Sequence, residues 1–142
     1  MTNHMSHTLP MFLLLALLTA CSTVTILAPD GTHVTRNREE FASYVEAVFR
    51  RQNLVIDDLV AAQDTSSTAE SVLAVELAAA EAHIIRDCRY LNTLAVDAME
   101  GRASSLSVEL KLISTIARCE LTAGAGRTLL DNVALSTLAT SP

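Results

Sequence analysis

Between Leu73 and Ala98 apolar residues recur every three or four positions: Leu73, Leu77, Ala80, Ile84, Cys88, Leu91, Ala95 and Ala98. On an α-helix this spacing keeps one stripe facing one way, whereas on a strand it scatters the same residues over both faces. The repeat is close to the heptad seam of packed helices. A second stripe, Ala74, Ala78 and Ala82, is made of small residues that permit close backbone approach. Ser67 with Glu70 three residues on forms a capping box, and Gly101 is a helix stop. A helix over about residues 68–100 is therefore predicted, with the fourth aromatic of the domain, Tyr90, beside its seam.

A long amphipathic helix needs partners for its apolar stripe. Asn37 and Glu40 make a second capping box, with Asn in the Ser/Thr position, ahead of a helix over about 38–63. Phe41, Val45, Val48, Phe49, Ile56, Leu59 and Val60 recur along it at helical spacing. A third helix is predicted over about 105–135, with Gly124 and Gly126 bending it. The expected fold class is all-α, an antiparallel bundle of three long helices. The chain has 142 residues, enough for one domain. Sixteen acidic against ten basic residues give a net charge of -6, the wrong sign for nucleic acid.

The N-terminal segment has a different character. Met11 to Leu18 reads MFLLLALL, too short to span a bilayer but of signal-peptide length. Leu18-Thr19-Ala20-Cys21 follows, a branched apolar residue, two small residues and a Cys. This resembles the lipobox of bacterial lipoproteins. The segment departs from the family pattern in having no Lys or Arg ahead of the apolar run, only His4 and His7. The resemblance covers about the first 21 residues, and no family is recognised for the mature domain. It implies that residues 1–20 are removed and that Cys21 is lipidated on its thiol and acylated on its new N-terminus. Ser22, where an Asp favours inner-membrane retention, implies the periplasmic face of the outer membrane. The resemblance thus implies a membrane anchor, not an activity.

Residues 21–36 then form a lead to a helical domain over 37–142. Thr23 to Leu27 has strand-forming residues, and Pro29-Asp30-Gly31 is a turn signal, so a small hairpin is open. A lone hairpin is marginal in water, and the expected state is a flexible tether.

With Cys21 assigned to lipid, Cys88 and Cys119 remain. An even pair in an oxidising periplasm suggests a disulfide. The two lie about equally far from the turn at Gly101 to Ser104, so antiparallel helices folded there bring them level. Two buried free thiols are the alternative.

The third helix has two apolar faces. Val108, Leu112, Ile116, Cys119 and Ala123 share one, and Leu106, Leu110, Ile113, Ala117 and Leu121 share a nearly opposite one. The second set is either covered by the rest of the chain or binds an envelope protein partner or a second copy.

Catalytic patterns are missing from the sequence: there is no Gly-x-Ser-x-Gly, no Cys-x-x-Cys-His, and Gly124-Ala125-Gly126-Arg127 lacks the features of a phosphate loop. His83 and Asp87 have the spacing of two metal ligands on a helix, but no third ligand accompanies them, and a solvated pair near Arg86 is favoured. Arg50-Arg51 is read as pairing with acids of the second helix, with lipid head groups or an acidic partner as the other option. The expectation is a non-enzymatic, cofactor-free interaction or envelope-assembly module, with a small-ligand or metal binder near His83 and Asp87 as the alternative.

Overall fold

The computed structural model describes residues 23–65 and 72–139, with side chains to residue 136. The order of elements is β1 (Thr23–Leu27), β2 (His33–Asn37), α1 (Arg38–Thr65), α2 (Val72–Asp87), α3 (Arg89–Met99) and α4 (Leu106–Ala139). The fold is mostly helical. The apolar run, the lipobox with Cys21, Ser22, and the Ser67–Glu70 capping box lie outside the described residues.

The lead is a hairpin rather than a tether. Strands β1 and β2 pair antiparallel, with Thr23 opposite Asn37 and Leu27 opposite His33. Gly31 has φ +83°, and its N–H donates to the Ala28 carbonyl at 2.9 Å, while Ala28 N–H donates to the Thr32 carbonyl at 2.8 Å. This is a three-residue hairpin loop with its left-handed residue where only Gly fits easily. Asp30 Oδ1 accepts from Thr32 N and Oγ1 at 2.9 and 2.7 Å, bonds that hold its carboxyl below the usual range. The marginality of a lone hairpin does not apply, because β1 packs on α4 and α1 and buries Ile26 to 2% exposure.

The first capping box forms as the spacing predicts. Glu40 N–H donates to Asn37 Oδ1 at 2.9 Å, and Asn37 N–H donates to Glu40 Oε2 at 3.0 Å. Both bonds satisfy amides that the first helical turn leaves without partners.

The helix predicted over 68–100 is two helices, α2 and α3, joined at Cys88. There ψ is 6° with φ −94°, in the bridge region rather than the helical well. Helical bonds flank the joint: Cys88 N–H donates to the Ile84 carbonyl and Asn92 N–H to that of Cys88. The sequence has no Gly or Pro at this point; what the joint does carry is the disulfide to Cys119, with the Cα atoms 4.7 Å apart.

Helix α3 ends on Gly101 at φ +67°. Gly101 N–H donates to the Ala98 carbonyl, and Arg102 N–H reaches the Asp97 carbonyl at 2.8 Å, which makes a Schellman motif. The Ser105 carbonyl then accepts from the N–H groups of Val108 and Glu109 in the first turn of α4. Helix α4 continues through both glycines to Ala139, beyond the expected end near 135. Gly126 serves packing. A Cβ there would lie 2.9 Å from Ile84 Cδ1 and 3.0 Å from Val55 Cγ1, so α1, α2 and α4 converge on it. Val48, Val55, Leu59, Leu77, Ile84 and Ile116 form the centre of the core.

Candidate functional site

The joint at Cys88 shapes the surface as well as the core. Helix α2 packs against both α1 and α4, whereas α3 packs mainly on α4 and only lightly on α1. An apolar groove of about 700 Å³ opens where α3 leaves the first half of α1. This volume is within the range of small-ligand sites.

Phe41, Val45 and Phe49, spaced by four on α1, form one wall. Leu91, Leu94, Ala95 and Ala98 of α3 form the other, and Leu112 and Ile113 of α4 contribute the floor. Thr23 and Val24 of β1 close one side. Charged residues of the lining are Arg38, Glu46 and Glu109, all exposed. Leu91 and Leu112 are each 2% exposed, so the bottom of the groove is also the top of the core. Such a lining excludes water from an apolar ligand but offers a polar one few partners.

A polar cluster lies between α1 and α4. Tyr44 donates to Glu120 Oε2 at 2.7 Å, and Arg51 donates to Glu120 Oε1, also at 2.7 Å. The Arg36 guanidinium stacks 4.7 Å from the Tyr44 ring centre. Burial and the bonded Glu120 carboxylate push the Tyr44 hydroxyl well above the usual tyrosine range. Tyr44 and Arg51 thus share the Glu120 carboxylate, whereas Arg36 Nε is buried without a hydrogen-bond partner. The Arg doublet thus divides: Arg51 pairs with α4 rather than with the second helix, and Arg50 pairs with Glu46 on its own helix.

The expected partner-binding face of α4 is split by depth. Leu106, Leu110 and Leu121 are exposed, Ile113 lines the groove, and Ala117 is buried. The five residues therefore do not present one continuous surface. Cys88 and Cys119 are joined as the spacing suggested.

The structure shows Asp87 engaged by residues other than His83. The Asp87 carboxylate accepts from Thr122 Oγ1 at 2.9 Å and pairs with Arg86 at 3.1 Å. Burial pushes its pKa up, but these bonds outweigh burial and hold it below the usual range. Among the described residues no group of three or more His, Cys, Asp and Glu is placed to hold a metal ion. No described helix is long and apolar enough to cross a membrane.

The groove was missed in the sequence because its lining reads as ordinary core. Phe41, Val45 and Phe49 carry a signal only in retrospect: two aromatics on one stripe of an otherwise aromatic-poor chain. Comparison of the chain with protein-family models, curated proteins and solved structures gives no match.

Proposed function

We propose that the chain is a lipid-anchored protein of the bacterial envelope whose helical domain is a non-catalytic binding and assembly module. The observation that carries this reading is the lipobox-like Leu18-Thr19-Ala20-Cys21, two residues ahead of a strand that is packed into the domain. Anchor and domain are then nearly contiguous: from Cys21 to Thr23 the chain spans at most about 7 Å. The domain works at the membrane surface rather than at the end of a long tether. By the same resemblance, Ser22 favours the periplasmic face of the outer membrane.

The groove favours an apolar occupant, and so the alternative of a ligand binder moves from His83 and Asp87 to the space between α1 and α3. The exposed Leu106, Leu110 and Leu121 of α4 offer contacts to an envelope protein. Helices α2 and α3 act in this reading as one jointed member of an antiparallel bundle with α1 and α4.

The test is metabolic labelling with palmitate in a bacterial host, followed by envelope fractionation and cross-linking. Label on the wild-type chain, absent from Cys21→Ser, supports the reading. An unlabelled chain in the soluble fraction overturns it.

A further inference from the structure

We infer that the groove between α1 and α3 receives one acyl chain of the protein's own lipidated Cys21. The inference rests on the lipoprotein reading above and adds a destination for part of the lipid. Its structural basis is covalent continuity. Thr23 and Val24 line the groove, and Cys21 precedes Thr23 by two residues. A chain attached at Cys21 therefore starts at the groove mouth, within about 7 Å of Thr23.

The chemistry of the lining fits that occupant. An acyl chain asks for apolar walls and no hydrogen bonds. Phe41, Phe49 and Leu94 supply such walls, and the charged lining residues Arg38, Glu46 and Glu109 are exposed. The hairpin holds the attachment point in place, because Ile26 is buried three residues beyond Thr23. Two acyl chains suffice for stable membrane anchoring, so a triacylated Cys21 has one to spare. An intramolecular ligand also meets the groove at high effective concentration, ahead of free lipid.

The experiment uses the full chain, expressed in bacteria fed a palmitate analogue with a terminal diazirine. Envelopes are solubilised in mild detergent, irradiated, and the cross-linked peptides are mapped by mass spectrometry. The expected result is an intramolecular cross-link from Cys21 to peptides containing Phe41 to Phe49 or Leu91 to Ala98. Loss of that cross-link is expected on filling the groove with Ala95→Trp, or with Ala98→Trp at its exposed rim should the first variant fail to fold. Incorporated label that reacts only with phospholipid, with a second copy in a covalent dimer, or with peptides outside the groove overturns the inference and leaves the anchor standing. Failure to incorporate label, or incorporation unchanged in Cys21→Ser, overturns both.

Discussion

Gln52 of α1 is fully buried and donates from Nε2 to Asn92 Oδ1 of α3, four residues beyond the joint at Cys88. It is the buried polar side chain among the described residues, and its Oε1 lies 3.8 Å from Cys119 Sγ. A disulfide sulfur has no hydrogen to donate, so that contact is packing rather than a hydrogen bond. The Gln52–Asn92 bond is thus what ties α1 to α3 where the two helices otherwise part.

Asn92→Ala leaves the Gln52 amide unpaired in the core and is expected to cost about 1–3 kcal/mol. Replacing both partners, Gln52→Met with Asn92→Leu, is expected to cost less than the two single changes added together, because no orphaned amide remains. Urea denaturation of the four members of the cycle measures the coupling.

The disulfide closes a loop with a sequence separation of 31. Its removal by Cys88→Ala with Cys119→Ala is expected to destabilise by about 3–4 kcal/mol on the chain-entropy estimate. Denaturant midpoints, read with a thiol assay that finds no free thiol at these positions in the wild type, check the value.

Local signals in the sequence were legible and tertiary ones were not. Asn37 and Glu40, the Pro29-Asp30-Gly31 turn and Gly101 each act through neighbours in the chain, and each forms the structure its spacing implies. The joint at Cys88 has no local cause, since its flanking residues form helices readily; it coincides with a bond to a residue 31 positions away. The hairpin reads as marginal for the same reason: the sequence does not display the helices that cover Ile26. The groove is a consequence of the joint and could be read only after it.

The two glycines of α4 separate these kinds of information. They look alike in sequence, yet a Cβ at Gly124 meets nothing within 4 Å, whereas one at Gly126 meets Ile84 and Val55. Gly124→Ala is expected to stabilise by up to about 1 kcal/mol through helix propensity. Gly126→Ala is expected to destabilise by up to about 2 kcal/mol, since an overpacking cost of about 1–3 kcal/mol is offset by the same propensity gain of up to about 1 kcal/mol. Thermal melts of the two variants should therefore move in opposite directions.

Asp97 makes the turn before α4 sensitive to acid. Bonds from Arg102 and Ser104 hold its carboxyl below the usual range in the folded state. A carboxyl with a depressed folded pKa favours folding above its unfolded value, near 3.9, and loses that contribution as pH falls through the folded value. The wild type is expected to lose stability below about pH 4. Asp97→Asn should lose less between pH 7 and pH 3 while starting lower, as paired melting curves would show.

Ile26 tests whether the hairpin belongs to the cooperative core. It sits in a five-residue strand of a two-stranded sheet, an arrangement marginal by itself, yet it is 2% exposed against the helices. Ile26→Ala is expected to cost about 2–5 kcal/mol, the range for deleting a buried aliphatic side chain. The neighbouring Thr25→Ala, which removes only an exposed cross-strand contact to Thr35, is expected to cost less than about 1 kcal/mol. A single unfolding transition that shifts with Ile26→Ala, by both helical circular dichroism and hydrogen exchange of the strand amides, is the expected result. Strand amides that exchange freely while the helices stay protected would instead mark the hairpin as a separate, weakly held element.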